Sequence, residues 1–437
     1  MTTPAPITER RYVKPLILVT SLFFMWAFGV NLNDILIPHL KKVFDLTDFR
    51  SALIQTAFFG GYFLAAVPAA RLMERIGYKK GILTGLLTCA AGALLFIPAA
   101  SIQVYGVFLL ALFVMACGQG VLEVAANPYV TLLGPPESSE RRLNLAQSFN
   151  AVGAVVTPYV GAAFILSALE YSREQLAAMP PAQVAAYRAA IVSTVKVPYL
   201  VIAAVFVGVA IMIYFAHLPE IGDQRSAGAR ESTSQELRDL WRYRHLIKGI
   251  AAQFFYVGSQ VGVASFIIRL VQHTGPGIPQ KSAALYLKLH LIGFMIGRFS
   301  GSWIMKRIPA PRLLAFFAAA TVLSVALILI GPHFASLWAV VAIGFFHSIM
   351  FPTIFALSIK ELGPYTKLGS SLLVASIIGG AICPAVMGFI SDHSNIRAAF
   401  VVPLICQLYI TYFALAGYKP TLARSSSSVS AALDAAQ

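Results

Sequence analysis

Two acidic side chains in this 437-residue chain, Asp34 and Glu123, lie inside long apolar stretches; the rest of the 18 Asp and Glu fall in loops, tails or segment ends. A charge at bilayer depth costs about 2.5–3.5 kcal/mol on the insertion scale, so an intramembrane carboxylate marks a functional site unless something pairs it. Burial favours the protonated form of a carboxyl group, which lets such a group take a proton on one side of a barrier and release it on the other. Either Asp34 or Glu123 can do this. The competing reading is a permanent ion pair, with Lys288, Arg298 or His290 as partner, although Lys288 can also snorkel to the membrane surface.

Around these acids the polar residues fall on single helix faces. Asn31 and Asp34 are spaced i, i+3; Gln119, Glu123 and Asn127 advance by fours; Asn144, Gln147 and Asn150 advance by threes. Further on, Gln253, Tyr256 and Gln260 form another stripe, and His347 with Ser348 interrupts an apolar run. Any one amide can simply cement helix to helix, for about 1 kcal/mol or less. Amides and carboxylates concentrated on several stripes make a larger hydrogen-bonding cavity than pairwise packing needs. Amides suit hydroxyl groups, and Trp26, Phe24, Tyr256 and Phe351 can stack on pyranose faces, so the cavity suits a sugar better than an apolar drug.

The elements that must hold these stripes are membrane helices. Hydrophobic residues make up 58% of the chain and charged ones 12%, with mean hydropathy +0.75, more apolar surface than a soluble domain of this length can bury. Runs of the length that crosses a bilayer recur twelve times, over 15–40, 51–74, 81–100, 105–132, 143–168, 197–217, 248–272, 283–305, 312–331, 336–360, 368–390 and 397–417. The first is too long for a signal peptide and lacks a cleavage site. Most of the 33 Lys and Arg fall in loops on one side if both termini are cytoplasmic. The net charge of +15 is thereby explained by topology, leaving no case for nucleic-acid binding. Cys89, Cys117, Cys383 and Cys406 lie in apolar runs without metal-ligand spacing. No HExxH or GxSxG motif occurs, so neither an enzyme nor a metal site is expected.

The expected organisation is an N-terminal six-helix half at 1–218, a cytoplasmic linker at 219–247, a C-terminal six-helix half at 248–420 and a disordered tail at 421–437. Within the linker, Ser234 to Arg244 has the pattern of a short amphipathic surface helix. A polar insert, Glu170 to Lys196, is expected outside the membrane. The halves resemble each other: Gly61 to Ile76 matches Gly293 to Ile308 at constant offset, and Gly134-Pro135 with Gly153, Pro158 and Gly161 recurs as Gly363-Pro364 with Gly379, Pro384 and Gly388. Such a parallel repeat belongs to transporters that rock around a midplane site.

Glu74-Arg75-Ile76-Gly77-Tyr78-Lys79-Lys80 resembles the cytoplasmic signature loop of the major facilitator superfamily, with Glu for its Asp and Tyr for its first basic residue. The runs Phe24 to Ala27, Asn31 to Leu36, Leu122 to Pro128, Arg142 to Asn150 and Phe351 to Phe355 resemble the fucose-galactose-glucose proton symporter family across essentially all twelve spans, most closely its L-fucose branch. That resemblance implies an all-α major facilitator fold. It further implies monosaccharide uptake with a proton by alternating access in a bacterial inner membrane, L-fucose being the expected sugar. No cofactor beyond the proton gradient is implied, and the protein is expected to work as a monomer. Asp34 matches the family's proton-carrying aspartate, and Glu123 the glutamate that contacts sugar and shares in coupling. Trp26, Asn31, Gln147 and Asn150 match cavity positions; Asn127, Tyr256 and Gln260 complete the candidate sugar site. Lys288, His290 and His347 depart from the L-fucose pattern, which leaves glucose, galactose or an amino sugar as alternative substrates. Sodium is an alternative coupling ion, and a transporter-like sugar sensor an alternative role.

Overall fold

The computed structural model describes residues 5–44, 48–165, 175, 178–219, 233–275 and 278–420; side chains at 28, 30, 32–43, 48–52, 158–165, 185, 188, 233–234 and 280–281 lie outside that description. The described elements are helical. They are α1 (Val13–Val43), α2 (Asp48–Ile102), α3 (Tyr105–Leu132), α4 (Ser139–Ile165), α5 (Pro181–Ser193), α6 (Lys196–Phe215) and a short linker helix α7 (Thr233–Leu240). After it come α8 (Arg244–Thr274), α9 (Gln280–Ile304), α10 (Ala310–Ile330), α11 (His333–His347), α12 (Met350–Ser358), α13 (Thr366–Ala375), α14 (Gly379–His393) and α15 (Val401–Tyr412).

These account for the twelve expected spans, with differences that have local causes. Spans two and three run into one another as α2, the chain turning at Gly77, whose φ of 78° only glycine adopts readily. Span ten is broken between α11 and α12, and span eleven between α13 and α14 by a 3-10 turn over Ser376–Ile378. Part of the expected polar insert is the helix α5, started by Pro180-Pro181. The linker helix, Thr233–Leu240, covers the first part of the Ser234 to Arg244 stretch, and Arg244 begins the next helix instead. Eight helical stretches among the described residues are long and apolar enough to cross a membrane, Leu53–Ile102 holding two of the expected spans. The helices α4 and α9 are more polar, because they carry the stripe Asn144, Gln147, Asn150 and the residues Lys288, His290 and Arg298.

Within each half the helices approach through small residues, as expected where lipid removes any hydrophobic drive between helices. A Cβ at Gly118 of α3 would strike the Cys89 backbone of α2, and one at Gly153 of α4 would strike Ala27 and the Phe24 carbonyl of α1. The halves meet along two seams, α4 against α9 and α12, and α2 and α3 against α13. The repeated blocks lie in helices of both seams: Gly61 to Ile76 in α2, and Gly293 to Ile308 over the later part of α9 and the turn beyond it. Gly134 (φ 152°) and Gly363 (φ 54°) both turn the chain in the left-handed region at matching loops.

At the end of the bundle that holds these loops, polar ties join the halves. Lys360 pairs with Glu140 at 3.1 Å, and Lys367 Nζ donates to the Met73 carbonyl at 3.2 Å while lying over the Tyr78 ring. The linker helix adds an ion pair between Glu236 and Arg71. We refer to this as the basic end.

Arg142 at the same end is fully buried. Its Nε donates to the Val130 carbonyl at 2.7 Å, Nη1 to Ile7 O at 2.8 Å and Ser138 Oγ at 2.9 Å, and Nη2 to the Thr131 carbonyl. One guanidinium thus satisfies the last carbonyls of α3 and ties the amino-terminal segment beneath them. Gly134 makes room for it, since a Cβ there would lie 2.8 Å from Nη1. Replacing Arg142 with Leu strips several charge-assisted bonds and is expected to cost about 3 kcal/mol. Arg142→Lys, without the planar fork, should recover less than half of that. Thermal unfolding of the purified variants in detergent measures both.

Candidate functional site

The polar stripes converge between the halves. From α1, the indole of Trp26 donates to Tyr62 Oη of α2 at 3.2 Å, and that hydroxyl donates to Gln119 Oε1 of α3 at 3.1 Å. Gly29 lets the chain close, because a side chain there would collide with the Gln119 amide. Two turns along α3, Asn127 Oδ1 accepts from Gln147 Nε2 of α4 at 2.9 Å. Asn144 Nδ2 crosses the seam to Thr353 Oγ1 of α12 at 3.0 Å. Asn150 donates to the Phe23 carbonyl at 3.1 Å, and Asn31 back to Ala27 O at 2.7 Å within α1.

Burial separates the sequence-derived candidates into two sets. Asn31, Glu123, Asn150 and Gln260 are half-buried, whereas Trp26, Asn127, Gln147 and Tyr256 are buried and, Tyr256 included, hydrogen-bonded to neighbouring elements. The Asp34 side chain lies outside the described residues; its backbone belongs to α1. Glu123 sits between the α1–α2–α3 chain and the second half. Its Oε2 is buried without a hydrogen-bond partner, a state that costs a carboxylate dearly unless it is neutral or compensated.

The cation whose charge reaches Glu123, offsetting its burial only in part, is Arg298 of α9, which also acts on Tyr256. It is only 4% exposed. Its Nε donates to the Ser348 carbonyl at 2.9 Å and its Nη1 to the Gln147 carbonyl at 2.6 Å, and its guanidinium lies over the Phe294 ring, 4.8 Å from the centroid. Ser348 needs this donor because the helical partner of its carbonyl would be residue 352, a proline without N–H. Gly297 lets α9 come close enough, since a Cβ there would overlap Ser348 and the Phe345 carbonyl. Of the three partners proposed for the acids, Lys288 is exposed and His290 turns its Nδ1 to the Val340 carbonyl of α11 at 2.8 Å, so Arg298 alone reaches the site.

Sequence reasoning missed Tyr62 and the bridging role of Arg298. A tyrosine within an apolar run carries no signal of its own. The Ser348-to-Pro352 spacing did announce a carbonyl in need of a donor, without naming which residue supplies it.

Two bundles of repeated design, meeting around an amide-lined site that holds a carboxylate and an arginine, define a membrane transporter. The chain belongs to the Major Facilitator Superfamily, which it matches over residues 19–373. Among its relatives is the L-fucose-proton symporter of Escherichia coli (strain K12), 44% identical over 413 residues and covering 93% of each chain. The glucose/galactose transporter of Brucella abortus biovar 1 (strain 9-941) is 41% identical, over 94% of this chain and 96% of that one. The fold superimposes on the crystal structure of a Major Facilitator Superfamily transporter, FucP, in the outward conformation, with a TM-score of 0.87, 43% identity, and coverage of 93% of this chain and 99% of that chain. The family and these neighbours are transporters, not enzymes.

If Arg298 offsets the charge of Glu123 as well as tying the two carbonyls, the two positions are energetically coupled. Arg298→Met should cost about 3 kcal/mol of stability, and adding Glu123→Gln should return part of it. Thermal unfolding of wild type, both single variants and the double variant checks this; a double that is the plain sum of the singles shows no coupling.

Proposed function

We propose that this protein imports a monosaccharide together with a proton, with L-fucose as the favoured sugar. The observation that carries this reading is the buried, unpartnered oxygen of Glu123 among amides, close to an arginine whose bonds span both halves. The 44% identity to an L-fucose-proton symporter supports the sugar and the coupling ion.

In this reading Glu123, Asn31, Asn150 and Gln260 meet the sugar. Trp26, Asn127, Gln147 and Tyr256 form the wall behind them, and Asp34 shares proton transfer with Glu123. Protonation removes the cost of closing the cavity around a charge, so sugar and proton together lower the barrier to rocking. A differential gain of this kind is required, since a ligand shifts an equilibrium only by its preference for one state. One charge moving through 100 mV releases about 2.3 kcal/mol, enough for roughly a fifty-fold sugar gradient.

The basic end corresponds to the cytoplasmic face by the positive-inside rule, with both termini there, in a bacterial inner membrane and in a monomeric protein. Halves of 1–218 and 248–420 then flank a linker at 219–247. The contacts at the basic end make the described arrangement closed toward the cytoplasm, consistent with its likeness to an outward conformation.

The measurement that tests the reading is external pH in a weakly buffered suspension of expressing cells. L-fucose should cause alkalinisation, exceeding that from D-galactose, D-glucose or N-acetylglucosamine. Asp34→Asn and Glu123→Gln should each abolish accumulation against a gradient; Asp34→Asn should retain sugar counterflow. Accumulation that survives both substitutions removes these carboxylates from coupling, and a response that requires sodium instead of a proton gradient replaces the coupling ion.

A further inference from the structure

The broken span ten exposes two carbonyls, and residues of the site use both. Ser348 O takes Arg298, as above, while His347 O accepts the hydroxyl of Tyr256 at 3.1 Å. The Tyr256 ring meets the His347 ring edge-on with centroids 5.9 Å apart, and the Phe351 ring at 6.2 Å. The orientation of the Tyr256 wall is therefore set by where the backbone of residue 347 sits, and that backbone lies at a joint between two helices that do not continue into each other.

The His347 side chain fixes the joint from the opposite side. Its Nε2 meets the Gln407 side-chain amide of α15 at 2.9 Å and lies 3.5 Å from Ser259 Oγ of α8; Gln407 Nε2 also donates to Ser259 at 3.1 Å. His347, Gln407 and Ser259 are all fully buried. Three helices of the C-terminal half thus converge on one imidazole. A polar cluster of this kind, inside an apolar bundle, is costly to bury and holds the helices that share it in register.

We infer that His347 is a positioning residue for sugar recognition: held by Gln407 and Ser259, it fixes the break in span ten and, through its own carbonyl, the Tyr256 wall of the sugar site. It does not carry the transported proton. The inference rests on the placement of Tyr256 in the sugar site proposed above, and it gives the departures from the L-fucose pattern at 347 a role in substrate choice.

The test is L-fucose counterflow in proteoliposomes, with KM and kcat for Tyr256→Phe, His347→Leu, Gln407→Met and the doubles of Tyr256→Phe with each of the others. Tyr256→Phe should raise KM about three- to tenfold, the effect of one lost hydrogen bond. His347→Leu and Gln407→Met should do likewise, with kcat within twofold and competition by D-galactose strengthened relative to wild type. Each double should match its worse single, because both changes act on one contact. Should His347→Leu fail to fold, Gln407→Met carries the same prediction with the imidazole left in place. Unchanged KM in Tyr256→Phe refutes its place in the site and the reading beneath this inference. A raised KM in Tyr256→Phe with silent His347 and Gln407 variants, or with effects that multiply in the doubles, overturns the inference itself. So does loss of uphill accumulation at unchanged KM in His347→Leu, the mark of a proton carrier.

Discussion

A guanidinium cannot lie between two membrane bundles unless every direction it faces supplies an acceptor, and the centre of this protein is arranged around meeting that demand at Arg298. The donors come from one side chain, whereas the acceptors come from both halves: the Gln147 carbonyl in the first, and the Ser348 carbonyl in the second. Pro352 makes the second acceptor available by leaving Ser348 without a helical partner. The break in span ten, the close approach at Gly297, the Phe294 ring beneath the cation and the carboxylate of Glu123 nearby are all parts of one solution. Remove the cation and each becomes a separate defect.

The same arrangement explains why the halves can move as bodies. Contacts inside a half are dry and close, backbone against small residue, as between Gly118 and Cys89 or Gly153 and Ala27. Contacts between halves at the basic end are side-chain ties such as Lys360 to Glu140 and Lys367 to Met73. Ties of this kind can pass to water one by one as that end opens, whereas separating packed helices within a half would open voids. Rigid-body rocking along the α4–α9 and α2–α13 seams is the motion that this division of contacts favours. Gln147 lies on one of those seams, so its carbonyl connects site and seam directly.

Much of this was legible in the sequence, because lipid permits so few solutions. Apolar runs of membrane-spanning length had to be helices, and α3 begins and ends where its run does. The repeat was visible because Gly134 and Gly363 each serve a turn that other residues adopt at a cost. What periodicity could not reveal were partners brought from distant elements. Arg142 reads as a surface charge of a cytoplasmic loop until the carbonyls of Ile7 and Val130 are found around it. Arg298 reads as one of several partners for an acid until Gln147 and Ser348 are seen to share it. The α5 helix was hidden for another reason, its 13 residues being too short a run to stand out as a span.

The division between half-buried and buried amides bears on how a change at Glu123 can reach both halves. Trp26, Tyr62 and Gln119 form one hydrogen-bonded chain across three helices, and Asn127 with Gln147 forms another. Glu123 lies on the same helix as Gln119 and Asn127, one turn from each, so a change in its charge is felt by both chains. One chain leads toward α1, which carries Asp34 and Asn31. The other ends on Gln147, whose carbonyl is held by Arg298. In the proposed reading, a proton arriving at Glu123 removes a charge that Arg298 offsets, so its effect reaches the seam through the guanidinium that binds a carbonyl of each half.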